Sequence, residues 1–327
     1  MPGITRAAMA ALSLTMATGS VALDSHQSPY LGQVPPGDTP KLFAPGMVNT
    51  GAVELNSVFS PDGKEFFFTR MIDGPDEQQG YPGKGRLILF HTTFSYGGWN
   101  PPKSLRLYPG SPHTWAADMS LSPDGQRLYF MGPYEPETGG EGNLNIWVSE
   151  KGEDGAWQPA SPLPAPINTD AQEVYSSVIA DGSLYFTTYA NGDGDASRDG
   201  LHRAQAKVGG GFEAPVPVQI PGGNSVGDTF VAPDESYLIF SSERAGGIGG
   251  GDLYISYRAA DGSWGAPINM GPEVNTERLD YCPVVSRDGK YFFFSRRTSE
   301  PANGGWRKVV AGDVYWMSAD IIERLRP

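Results

Sequence analysis

The 327-residue chain has one cysteine, Cys282, and only four histidines. A single thiol excludes an intramolecular disulfide and any zinc cluster built from thiolates. His26, His91, His113 and His202 are scattered along the sequence, so a three-histidine metal centre is not expected. Positive charge is also scarce. Twenty-four Lys and Arg against 37 Asp and Glu leave a net charge of −13. That balance argues against nucleic acid or an anionic membrane as the main partner, because both would repel the protein. Neutral or cationic ligands and metal ions remain open. No run reaches the roughly 20 apolar residues that a membrane span needs.

The opening stretch, MPGITRAAMAALSLTMATGSVALDS, carries Arg6 and then small, mostly apolar residues. Ser20, Val21 and Ala22 are the small residues that a signal peptidase prefers. The expectation is a signal peptide over 1–22, an extended segment over 23–38 and one domain over 39–327. No cysteine follows the apolar run, so a lipid anchor there is not expected.

Gly (43) and Pro (29) are abundant, together nearly twice the usual share. With enough hydrophobic residues for a core, this predicts many short strands joined by tight turns. The turns repeat. FSPDGKEFFFTR (59–70) returns as LSPDGQRLYFMG, IADGSLYFTTY, VAPDESYLIFSS and VSRDGKYFFFSR, with turn aspartates at Asp62, Asp124, Asp181, Asp234 and Asp288. Successive separations are 62, 57, 53 and 54 residues. Pro presets φ, Asp bonds its own backbone and Gly takes the positive φ that closes the turn. The aromatic runs that follow suit strands buried on both faces.

Other features recur in phase. A third strand reads GRLILFHTT, GNLNIWVSE, DGLHRAQA, GGDLYISYR and AGDVYWMSA, and a fourth opens near Trp99, Trp157, Phe212 and Trp264. The last repeat lacks its fourth strand, whereas PKLFAPGMVNT (40–50) matches APINMGPEVNT (266–276). An N-terminal strand is therefore expected to complete the last unit and close a ring. The fold class is all-β, a five-bladed β-propeller of four-stranded antiparallel blades.

The four-strand unit with its Ser-Pro-Asp-Gly turn resembles the Pro-Asp-type (WD40-like) repeat of TolB-like β-propellers, over about residues 40–327. That resemblance implies a periplasmic or secreted propeller engaged in protein or ligand binding. The best-known TolB propeller has six blades and a separate α/β domain; the repeats here number five and leave no room for such a domain.

Each repeat carries a carboxylate where its first strand begins: Glu54, Asp118, Glu173, Asp228 and Asp280. Glu54, Glu173 and Asp280 lie eight residues before the turn aspartate, and Asp118 and Asp228 lie six before it. Two residues is one strand period, so all five are expected on one face at two depths. Arg70, Tyr189, Arg244 and Arg296 end second strands near the same opening. His113, Trp115, Tyr175 and Tyr281 complete the candidate ligand-binding set. A structural role is the competing account, since carboxylates at blade starts can tie neighbours together and the repeated Asn-Thr resembles turn chemistry.

The function expected is binding of a small-molecule or saccharide ligand, or a protein partner, in an acidic funnel by a monomer. The alternative is a carbohydrate-active enzyme, a glycoside hydrolase or lyase, with Glu54, Glu173 and Asp280 as its acids. A divalent metal held by the carboxylates is a third use. Asn191, Asp193, Asp195 and Asp199 also fall at positions one, three, five and nine of a possible Ca2+ loop, without the bidentate Glu at position twelve. Tyr81 and Trp306, in loops over 71–86 and 297–311, offer flat faces for stacking on a sugar or a cation.

Overall fold

The computed structural model describes residues 29–72, 86–108, 115–133, 143–190, 199–223, 225–301 and 307–327. Tyr81, His113, Asn191, Asp193, Asp195 and Trp306, and the expected signal peptide, lie outside them. Among the described residues no helix is long and apolar enough to cross a membrane.

The chain is all-β with one short C-terminal helix. It opens with β1 (Lys41–Leu42), followed by β2 (Val53–Phe59), β3 (Glu65–Ile72), β4 (Arg86–Ser95), β5 (Gly98–Trp99) and β6 (Lys103–Ser104). Here β2, β3 and β4 form an antiparallel ladder whose outer edge is split between β5 and β6. A four-stranded sheet follows: β7 (Ala117–Leu121), β8 (Arg127–Pro133), β9 (Leu144–Glu150) and β10 (Ser161–Pro162). The next is β11 (Gln172–Val178), β12 (Leu184–Tyr189), β13 (Gly200–Ala204) and β14 (Val216–Pro217). Then come β15 (Gly227–Val231), β16 (Tyr237–Ser242), β17 (Asp252–Tyr257) and β18 (Ile268–Asn269). The last ladder is β19 (Leu279–Val285), β20 (Tyr291–Pro301) and β21 (Arg307–Ser318), before α1 (Asp320–Arg324).

As the sequence predicts, β1 pairs antiparallel with β21 and supplies the fourth strand of that last sheet. One parallel bridge, Val53 to Gly312, joins it to the first sheet. The first strands pack in a closed cycle: β2 beside β7, β7 beside β11, β11 beside β15, β15 beside β19, and β19 beside β2. One expectation is corrected. Most of 297–311 is not loop, because β20 runs to Pro301 and β21 starts at Arg307.

The repeated turn does what its residues predict. The Ser122 hydroxyl donates to Asp124 Oδ1 at 2.5 Å and holds that carboxyl below the usual range, while Gly125 takes φ 69°. The strand after each turn is buried on both faces. Phe66 and Phe68 pack with Phe43, Phe293 and Trp316 of the last sheet, whereas Phe67 packs with Leu128 and Phe130 of the next. Phe292 and Phe294 face β17, and Phe293 turns the other way. Each such side chain contributes about 1.5–3 kcal/mol of burial. The cores are therefore layers between consecutive sheets, and the radial strands need no other partner.

Candidate functional site on the axis

The Asn-Thr pairs and the acids that follow them form one device, repeated in the first, third and last sheets. Asn49 accepts from Val314 N–H at 2.8 Å and donates to Val314 O at 2.8 Å and Phe43 O at 2.7 Å. Asn168 clips Ile146 and Leu163 in the same way, and Asn275 clips Leu253. The side-chain amide reproduces a strand edge where β1, β10 or β18 is only two residues long.

The neighbouring threonine then holds the acid. Thr50 Oγ1 donates to Glu54 at 2.6 Å, Thr169 Oγ1 to Glu173 at 2.6 Å and Thr276 Oγ1 to Asp280 at 2.9 Å. Arg70 Nε donates to Glu54 Oε1 at 2.9 Å, and its Nη2 donates to Met47 O and Val48 O. Arg296 repeats this with Asp280 at 2.6 Å and Val274 O at 2.8 Å. Burial pushes the Asp280 carboxyl up even against Arg296.

These placements differ from the expectation of one acidic face. Glu54, Glu173 and Asp280 are 0 % exposed and lie in the sheet walls, each held by a threonine and, at Glu54 and Asp280, by an arginine as well. Arg70 and Arg296 are their partners and not open rim groups. Arg244 is likewise spent on Ser242, Pro221 O and Gly223 O, over the Phe240 ring.

The reason is a bulge. Every first strand shifts register once, between Leu55 and Ser57, Ala117 and Ser120, Val174 and Ser177, Gly227 and Phe230, and Tyr281 and Val284. Each shift contains one non-glycine residue in the left-handed region: Asn56, Asp118, Tyr175, Asp228 and Cys282, with φ between 42° and 55°. The strain costs roughly 1–2 kcal/mol per residue, and such strain tends to collect at functional positions. These residues leave the ordinary alternation and meet one another on the axis.

Cys282 Sγ lies 3.3 Å from Asp118 Oδ1 and 3.4 Å from Asp228 Oδ1, joining side chains from three different sheets. Ser241 Oγ donates to Asp228 Oδ2 at 2.9 Å. Asn56 accepts from Met119 N–H at 3.0 Å and ties the first two sheets together. Burial and the Asp228 charge push the Asp118 carboxyl up to about 8; burial also raises Asp228. The Arg297 guanidinium, 5.4 Å from the Tyr281 ring centre, partly offsets both. The charge of Asp228 and burial push the Tyr175 phenol well up, and burial does the same to the Cys282 thiol.

Two sides of the ring differ. Trp115, Tyr175 and Tyr189 gather around Ala117, Met131 and Val174 on the strand-start side, as the sequence placed them. The cavity runs the other way, toward the repeated turns, with a volume of about 140 Å³. Ser57, Ser120, Ser176, Ser177 and Thr229 are among its lining. Arg287, standing where other repeats have Pro or Ala, reaches across its mouth and donates to Leu121 O at 2.9 Å. His91 and His202 sit away from the axis, stacked on Phe67 and Phe186. Of the possible Ca2+ loop only Asp199 is described; it accepts from Ala190 N–H at 2.5 Å.

Asn56 and Cys282 were not among the candidates read from the sequence. The signal was available, since both lie six residues before a turn aspartate, in the register of Asp118 and Asp228.

No protein-family model matches the chain, and no curated protein sequence is similar to it. Among solved structures it is similar to TolB from Acinetobacter baumannii, at 14% identity and TM-score 0.44, over 82% of this chain and 57% of that one. It is similar to the periplasmic gluconolactonase of Pseudomonas aeruginosa, at 13% identity and TM-score 0.44, over 79% and 71%. An N-acetylgalactosamine deacetylase from F. plautii is similar at 12% identity and TM-score 0.49, over 92% and 97%. The chain thus spans little more than half the length of the TolB structure.

Proposed function

We propose that the protein is an exported, periplasmic or secreted five-bladed β-propeller of TolB-like type with a binding role, and that its site is the axial ring. The closed cycle of β2, β7, β11, β15 and β19 supports the blade number. The observation that carries the binding role is the Asp118–Asp228 pair. Two carboxylates from different blades meet in a buried centre, and among the described residues no lysine or arginine forms an ion pair with either. Burying like charges is costly unless a cation or a proton relieves it. A cation would take the place of the proton that Asp118 otherwise holds, so the group we propose is cationic; Trp115, Tyr175 and Tyr189 pack on the strand-start side. The hydrolase reading has less behind it, because Arg70 holds Glu54 Oε1, Thr169 holds Glu173 and Arg296 holds Asp280, although Glu54 Oε2 has no partner.

A thermal-shift screen of the whole chain against metal ions, organic ammonium ions and neutral sugars tests this. Cations should raise Tm and neutral sugars should not; a site filled to 100 times Kd adds about 2.7 kcal/mol. The shift should vanish in Asp118→Asn/Asp228→Asn. A panel in which no cation acts, or in which that double variant responds like the parent, removes the axial ring as the site.

A further inference from the structure

We infer that Asp118, Asp228 and Cys282 are the protein ligands of a thiophilic divalent-metal site of the zinc class on the axis; this rests on the cation-binding reading above and names the cation. Their candidate ligand atoms all lie within 4.8 Å of one another. The sulfur stands 3.3 and 3.4 Å from two carboxylate oxygens. Zinc bonds of about 2.3 Å to sulfur and about 2.0 Å to oxygen, arranged tetrahedrally, put sulfur and oxygen about 3.5 Å apart. The observed spacings already fit that edge.

Two further observations are independent of the cluster's composition. Asp118 is only 7 % exposed, and among the described residues the Cys282 thiol is the only donor it receives. Thr229, which lines the same cavity, is 6 % exposed and its hydroxyl oxygen has no partner. The buried carboxyl and the unpartnered hydroxyl belong to residues that line one cavity. Sulfur in the set disfavours calcium and magnesium, which take oxygen ligands. Three protein ligands leave a fourth position for water or a ligand donor, and the cavity of about 140 Å³ adjoins it. Binding needs no oxidant or reductant: the metal displaces the thiol proton and, below about pH 8, the Asp118 proton, and both leave to solvent.

The test uses the whole chain, stripped with EDTA and titrated with ZnCl2 or CoCl2, with CaCl2 and MgCl2 as controls. Zinc should bind at one equivalent and raise Tm where calcium and magnesium do not. Cobalt should give a near-ultraviolet sulfur-to-metal band. Cys282→Ser should abolish that band, and Cys282→Ser and Asp228→Asn should each weaken zinc by at least about 10-fold, the lower bound known even for outer-shell changes. Absence of the cobalt band in the parent protein, or zinc binding unaltered in both variants, overturns the inference. Calcium or an organic ammonium ion binding in place of zinc also overturns it, while leaving the cation-binding reading intact. No response to any cation removes both. If a variant does not fold, the cobalt spectrum of the parent decides alone.

Discussion

Arg70→Met separates a structural carboxylate from a functional one. Among the described residues Arg70 is the only cation paired with Glu54, which is 0 % exposed, and its Nη2 also satisfies Met47 O and Val48 O. Methionine keeps most of the stem volume and its packing over Phe68 and Phe90, where the guanidinium now sits at 5.1 and 4.7 Å. What is lost is the charge. A buried pair broken from one side costs about 3–5 kcal/mol, because the other charge is left uncompensated. Glu54→Gln should cost less, about 1–2 kcal/mol, since Arg70 is 17% exposed, can partly rehydrate and keeps its carbonyl partners. The double variant should cost less than the two single costs added, with a coupling of roughly 1–3 kcal/mol. Urea unfolding monitored by tryptophan fluorescence reads this as a midpoint shift on the order of 1 M for Arg70→Met. If Arg70→Met costs under about 1 kcal/mol while cation binding is lost, Glu54 belongs to the site and the assignment to the sheet wall is wrong.

Three further outcomes follow from the same geometry. Asn168→Ala should cost about 2 kcal/mol by orphaning the Ile146 N–H and removing the donor to the Leu163 carbonyl, while Ile146 O keeps the Leu163 N–H, with faster amide exchange at Ile146; unchanged exchange there would refute the clip. In metal-free protein, folded Asp118 keeps its proton to about pH 8, whereas an unfolded aspartate loses it near 3.9. The native state then binds the extra proton, so stability falls as pH rises from about 4 to 8; Asp118→Asn should flatten that decline, and a parallel slope in both proteins counts against a buried acid. Arg287→Ala should open the turn-side mouth and speed alkylation of Cys282, which is 3 % exposed, by a small thiol reagent. Equal rates would mean that Arg287 does not close the channel.

The sheets were legible because a turn is a local object. The Ser-Pro-Asp-Gly turn and its three variants encode their own local hydrogen bonds, and five such turns in phase locate the strands around them. The match of 40–50 to 266–276 likewise exposed β1 as the missing strand of the last sheet. The site was only half legible. Trp115, Tyr175 and Tyr189 do gather, and Asp118 and Asp228 do face the axis. The bulge that divides them from Glu54, Glu173 and Asp280 has no residue signature: Asn, Asp, Tyr, Asp and Cys occupy one left-handed position. No glycine marks it, because tertiary packing imposes that φ. A strict two-residue alternation therefore put wall and axis on one face. Cysteine counting, which asks only about pairs and clusters of thiols, passed over the one thiol lying between two carboxylates.

The joint between β1 and β21 sets the order in which the molecule can be built. Asn49 bonds to Val314 across 265 residues of sequence, and Phe43 is enclosed by Phe59, Phe66, Phe293 and Trp316. During synthesis the first sheet emerges early, but its aromatic flank has nothing to pack against until β20 and β21 have followed. The ring is thus sealed by its oldest and newest segments, and until then it presents an open stack with a sticky face at each end. Pairing so distant in sequence is slow.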